Sequence, residues 1–194
     1  MCISIGTYIF TMVFFSVAAT ELPPNLYVRL LRYRYRVFVE KLRWDVPSQN
    51  GMEFDQFDRS DTVHVIGRDA EGRIGGCCRL LPTSKPYLLK EVFPELMAPG
   101  TLPASPTTWE LSRFTTHDLY GSGAAKRNCF LSDASIGLLR YSMATAAALG
   151  ARHLVFVAAV GTGSLIDKLD IDIEDVGQRK NCKGHRLSAY RIAL

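Results

Sequence analysis

The sequence predicts an α/β protein, a mixed β-sheet flanked by helices in a single domain. Three observations carry this. The chain has 194 residues, enough for about one domain with a core of its own. Its composition, 47% hydrophobic and 22% charged, is that of a globular protein and excludes a disordered, collagen-like or disulfide-dense chain. Helical and alternating segments then follow one another as helix, hairpin, strand, helix, strand, helix and strand.

The first 20 residues carry no charge; Glu21 is the first charged residue and Arg29 the first basic one. A secretory signal needs a basic start, and a membrane span needs about 20 mostly apolar residues. This run lacks the first and is interrupted by Ser, Thr and Gly. A buried first strand at residues 11–17, behind an extension at 1–10, is the expectation, with a signal or anchor as the other reading. From Pro24, a residue suited to a first helical turn, Tyr27, Leu30, Leu31, Arg34 and Phe38 share one helix face. That helix should fade near Leu42, before Trp44 and Pro47.

A polar segment, 48–61, leads into a hairpin. Residues 62–68 and 73–81 flank Asp69-Ala70-Glu71-Gly72, a turn with glycine at its end. A short helix is expected at 90–97, loop at 99–107, a strand at 109–115 and a flexible connection at 116–128. Ser132 opens a long helix with Asp133 in its first turn, and Gly150 stops it. A strand at 153–160, a helix at 164–169 and a strand at 187–194 complete the order.

Three groups of residues fit poorly into a plain core. Arg34 lies on the apolar stripe of its helix, where an unpaired charge costs several kcal/mol and calls for a carboxylate or another acceptor; a structural salt bridge and a snorkelling side chain both fit. Arg29, Arg32, Arg36, Lys41 and Arg43, with Tyr33 and Tyr35, make the same helix basic, as in a solvated face or a nucleic-acid surface. Glu53, Asp55, Asp58 and Asp61 sit among aromatics, as in a clamp for a cation or a solvated acidic loop. In the strand Trp109-Glu110-Leu111-Ser112-Arg113-Phe114, alternation puts Trp109, Leu111 and Arg113 on one side and Glu110, Ser112 and Phe114 on the other. Glu110 and Arg113 reach one pocket only across a bulge or a strong twist. Arg79, in an apolar strand, is a natural partner for a carboxylate.

Other chemistries lack their motifs. There is no G-x-S-x-G, no P-loop and no cysteine beside a histidine. Five cysteines are an odd number, Cys77 and Cys78 are adjacent, and no C-x-x-C occurs, so a disulfide framework is not expected and a reducing, cytoplasmic setting fits. The four histidines have no metal-ligand spacing, so no metal is expected. Asp118-Leu119-Tyr120-Gly121-Ser122-Gly123 approaches the acetyltransferase loop [Q/R]-x-x-G-x-[G/A], but puts a carboxylate where a phosphate wants a donor.

Taken together, Arg34-x3-Phe38-x5-Trp44, Glu53-x-Asp55-x2-Asp58, Arg79 in C-C-R-L-L-P-T and Glu110-x2-Arg113 in W-E-L-S-R-F resemble the acyl-homoserine-lactone synthases, the autoinducer synthases of bacterial quorum sensing. The stretch Pro86-Tyr87-Leu88-Leu89-Lys90, continuing to Phe93, adds to the likeness, which runs from about Glu21 to Leu194.

The resemblance implies an α/β/α sandwich with a central mixed, twisted sheet, akin to the N-acetyltransferase fold. It implies S-adenosyl-L-methionine as a substrate rather than a cofactor, no other cofactor, and an acyl donor carried on acyl carrier protein or CoA. It assigns Glu110 as the base, Asp55 and Asp58 to the sulfonium, and Arg34 and Arg113 to a carboxylate or to neighbouring acids. Arg79 would fix the acidic loop, and Phe38 and Trp44 would wall the pocket. Trp109 and Phe114 are assigned to substrate binding, and Phe156, Val157 and Ala158 to the acyl pocket. The strand 153–160 lacks a hydroxyl residue, which points to an unsubstituted, medium acyl chain. Lys168 stands against Asp167 and Asp170, so docking of an acidic carrier protein at that helix is in doubt, while the formal charge of +4 favours an acidic partner elsewhere. Neither nucleic acid nor membrane is expected as a partner, and a synthase using cytoplasmic metabolites gains nothing from export. An N-acetyltransferase-like enzyme with another amine acceptor and a nucleic-acid binder built on the basic helix are the alternatives.

Overall fold

In a computed structural model, which describes residues 12–120, 132–182 and 184–194, the hairpin seeds the sheet. β4 (Val63–Arg68) and β5 (Ile74–Pro82) pair antiparallel. Gly72 supplies the left-handed residue of their turn at φ 73°, and the Asp69 carboxylate accepts the Arg73 backbone N–H at 2.7 Å. All but the last residue of β5 is buried, which requires cover on both faces and strands on both sides. β6 (Thr108–Thr115) lies antiparallel to β5, and β7 (His153–Ala159) lies parallel to β6. A parallel step needs a crossover, provided by α3 (Asp133–Ala148), whose N-cap Ser132 accepts the Ser135 N–H.

β10 (His185–Ala193) follows β7 antiparallel and carries β8 (Ile173–Asp175) and β9 (Lys180–Cys182). β1 (Val13–Ala18) closes the opposite edge, giving the order β1-β4-β5-β6-β7-β10-β8. β2 (Ser48–Gln49) and β3 (Met52–Glu53) form a separate two-stranded ribbon. α1 (Pro24–Arg34), which runs on into a π-helical stretch, Tyr35–Lys41, and α2 (Leu88–Val92) cover one face; α3 and α4 (Thr162–Asp167) cover the other. The result is an α/β/α sandwich.

Several elements depart from expectation. β1 is a half-buried edge strand rather than a buried one, with Val13 65% exposed, because only β4 pairs with it. Helix begins at Leu88 and is broken before Pro94, whose 3₁₀ turn ends at Leu96; proline cannot donate to the preceding turn. The expectations for residues 1–10 and for the loop at 121–128 lie outside the described residues. No helix among the described residues is long and apolar enough to cross a membrane.

One irregularity positions the site. β6 and β7 pair only from Thr108↔His153 to Glu110↔Val155, although β6 continues to Thr115 and β7 to Ala159. Beyond Glu110 the two parallel strands part, leaving a fork in the sheet.

Candidate active site

Six charged side chains form a closed ring. α1 presents Arg34 on its buried stripe, the ribbon and the turn after it present Glu53, Asp55 and Asp58, β5 presents Arg79 and β6 presents Arg113. Arg34 donates to Glu53 at 2.6 Å and to both oxygens of Asp58 at 2.6 and 2.9 Å. Arg79 donates to both oxygens of Asp55 at 2.6 and 3.2 Å, to Ser112 Oγ at 3.1 Å, and lies 3.2 Å from Asp58. Arg113 closes the circuit on Glu53 at 2.9 Å and Asp55 at 2.8 Å. Three cations and three anions cancel, and every one of the six carboxylate oxygens takes an arginine bond. Burial pushes the Asp58 carboxyl up, but the charge and hydrogen bonds of Arg34, helped by Arg79, outweigh it and hold it well below the usual carboxylate range. Glu53, fully buried, is a member that the motif contained but to which no role was assigned.

A β-bulge makes the ring possible. Cys77 pairs with Thr115 and Arg79 with Ser112, so two residues of β6 oppose Cys78 alone. Arg113 takes the left-handed conformation at φ 54°, an arrangement costing about 1–3 kcal/mol unless the surroundings hold it. Here the bonds to Glu53 and Asp55 do so. The bulge turns Arg113 to the side of Glu110 and Ser112, and shifts Phe114 to the face of Leu111. Trp109 and Phe114 therefore pack against the α3-side core, away from the ring.

Phe38 is buried in the π-helical stretch, where the Leu42 N–H reaches back to the Val37 carbonyl at 2.9 Å. Trp44, 40% exposed, stacks on it with centroids 4.8 Å apart. The Arg113 guanidinium lies 5.7 Å from the Phe38 centroid, which joins the aromatic wall to the ring.

Glu110 stands apart from all of this. It is 1% exposed and sits at the last rung before the fork. Its two oxygens accept the Leu88 and Leu89 N–H groups at the start of α2, at 2.8 and 2.6 Å. Burial pushes its carboxyl up to about 7, against those two bonds, which pull it down. Among the described residues it is hydrogen-bonded to backbone N–H groups alone, with no cation in salt-bridge contact. A buried carboxylate near neutral pKa, at an opening in a sheet and beside a polar wall, is equipped to accept a proton.

Residues 21–157 match the family model described as autoinducer synthase. The acyl-homoserine-lactone synthase of Acinetobacter baumannii is 41% identical over 169 residues, 87% of this chain and 92% of that protein. Among solved structures, TofI in a ternary complex with an inhibitor and MTA is 39% identical with a TM-score of 0.78, covering 93% of this chain and 90% of that one. LasI is 28% identical with a TM-score of 0.82, covering 95% and 90%. The chain belongs to the autoinducer synthase family. It is accordingly an enzyme of acyl-homoserine-lactone synthesis. A Pseudomonas aeruginosa acyl-CoA N-acyltransferase, 16% identical, has the same fold at a TM-score of 0.65.

In this synthase the strand assigned to the acyl chain serves two faces. Alternation puts Phe156 and Ala158 with the α3-side core and Val157 with Val155 on the other side. The three residues therefore stand on both faces of the sheet beside the fork, Val157 on the face opposite its neighbours.

A residue that sequence reasoning passed over lies beside the ring. His64, opposite Arg79 across β4 and β5, is buried, and its Nε2 has no hydrogen-bond partner. Burial pushes its imidazole down to about 4. An unfolded chain takes up this proton below about 6.5, whereas the fold does not until about 4, so stability falls as pH drops through that window, by roughly 3 kcal/mol. His64→Phe is expected to remove that loss, which urea unfolding at about pH 7 and about pH 4 measures.

Proposed function

We propose that the synthase acylates the amine of S-adenosyl-L-methionine with an acyl thioester and then closes the homoserine lactone, releasing methylthioadenosine. Glu110 takes a proton from the substrate ammonium, directly or through one water. The free amine attacks the thioester carbonyl, the C–S bond breaks, and the thiol leaves with a proton. The methionyl carboxylate then attacks its own γ-carbon. The sulfonium C–S bond breaks with its electron pair passing to sulfur, which leaves as neutral methylthioadenosine.

The observation that carries this reading is the contrast between Glu110 and the ring. Asp55 and Asp58 have both oxygens held by arginine, so they serve as a fixed negative edge facing the sulfonium, not as bases. Arg34, Arg79 and Arg113 hold those carboxylates in place, with Arg113 at the end nearest the aromatic wall. Preorganised dipoles of this kind need no reorganisation as charge moves. Phe38 and Trp44 wall the adenosylmethionine site. The donor reaches the fork as acyl-CoA or as an acyl carrier protein. Both substrates are metabolites of the cytoplasm, where the synthase works.

Incubating the purified chain with S-adenosyl-L-methionine and a series of acyl thioesters tests the reading. Methylthioadenosine and an acyl-homoserine lactone should appear in equal amounts. Turnover of thioester without methylthioadenosine would instead mean another amine acceptor. Trp44→Ala should raise KM for S-adenosyl-L-methionine roughly tenfold with kcat largely kept, since it removes an aromatic wall and no reacting group.

A further inference from the structure

We propose that the stacked pair Phe156 and Tyr190 is the end-stop of the acyl site and restricts the synthase to short acyl chains. The inference rests on the reaction proposed above. Leu111 and Phe156 are the first residues past the last rung of the β6–β7 ladder, and both belong to the core under α3. An acyl chain passing through the fork from the Glu110 side emerges between them. There it meets a filled space. Phe156 and Tyr190 are direct cross-strand neighbours, 5% and 3% exposed, with ring centroids 5.6 Å apart and planes at 25°.

The pair is closed from behind. A Cβ at Gly163, in the first turn of α4, would stand 2.8 Å from the Tyr190 ring, so the helix already rests on that ring and limits its retreat. The Tyr190 hydroxyl reaches the Ala159 carbonyl at 3.4 Å, a weak tie at the same end. Beyond the ring lies a cavity of about 330 Å³, in which Tyr190 shares the lining with Gly163, Asp167, Asp175 and Arg179. Tyr190 is thus a partition, with an apolar fork on one side and on the other a cavity of mixed lining, where Val160 and Ile173 stand beside the charged groups. A chain longer than the space before the rings has to displace packed aromatic side chains, and a close-packed interior resists this.

The test uses the purified full chain, S-adenosyl-L-methionine, and butanoyl, hexanoyl, octanoyl and dodecanoyl thioesters of both CoA and acyl carrier protein, with methylthioadenosine release as the rate and mass spectrometry of the lactones in mixed-substrate competition. The natural chain should prefer butanoyl or hexanoyl over octanoyl by roughly tenfold or more in kcat/KM, the scale on which a pocket rejects surplus methylenes. Phe156→Ala and Tyr190→Ala should each move that ratio roughly tenfold towards the longer thioesters, while Tyr190→Phe, which keeps the ring, should leave the ratio in place. Phe156→Leu and Tyr190→Leu, with thermal melts, replace the alanine variants if those fail to fold. Equal use of dodecanoyl and butanoyl by the natural chain, or folded variants with an unchanged length profile, would overturn the proposal. Absence of methylthioadenosine with every thioester would strike the proposed reaction itself.

Discussion

Glu110→Gln is expected to lower acyl-homoserine-lactone formation by roughly a hundred- to ten-thousandfold, the usual worth of a positioned base. The amide can neither accept the ammonium proton nor satisfy both N–H groups at the start of α2. Its oxygen can take one of the bonds from Leu88 and Leu89, but its NH₂ then faces a second donor. A loss of about 1–3 kcal/mol in stability should accompany the loss of rate, so unfolding curves must be read beside the kinetics. The pH profile separates the two effects. A carboxyl pushed up to about 7 by burial must be ionised to act, so kcat/KM should rise with pH through that value. In Glu110→Gln the residual rate should lack this limb. A variant that keeps full activity, or one whose residual rate keeps the same limb, would remove Glu110 from the role of base.

Much of this site was legible because its residues are expensive where they lie. A charge on the apolar stripe of a helix, as at Arg34, or within a buried strand, as at Arg79 and Glu110, needs a structural or chemical reason, and spacing alone exposes it. The conformations that bring these residues together are a different matter. Whether Arg113 reaches the pocket turned on a bulge. A left-handed arginine has no mark in sequence, since its stability comes from Glu53 and Asp55 across the fold. The same bulge moved Phe114 to the opposite face, and plain strand alternation divided Phe156 and Ala158 from Val157. The strands β2, β3, β8 and β9, two or three residues each, are too short to show a period. His64 looked like an ordinary strand residue; only the packing of Tyr27 and the ring around it makes its unpaired nitrogen visible.

Opening the ring should be as costly to the fold as removing Glu110 is to the chemistry. Arg34→Met leaves Asp58 and one oxygen of Glu53 buried without their main partner, and breaking a buried ion pair from one side typically costs about 3–5 kcal/mol. Arg34→Lys should recover only part of this, because one ammonium cannot meet both Glu53 and the paired oxygens of Asp58 as the planar guanidinium does. The pH dependence identifies the cause. Asp58 is held well below its ordinary value of 3.8, so its contribution is fully present above that value and is lost as pH falls towards the lower folded one. His64 acts in the same sense but in a higher window, destabilising the fold as pH drops from about 6.5 to about 4. Urea unfolding followed across acid pH should therefore show two separate slopes. His64→Phe should erase the upper slope and leave the lower, whereas Arg34→Met should lower stability at neutral pH and flatten the slope below 3.8. A single slope that both variants change alike would mean that ring and histidine titrate as one unit, and that Asp58 is not held by Arg34 in the way its two short bonds require.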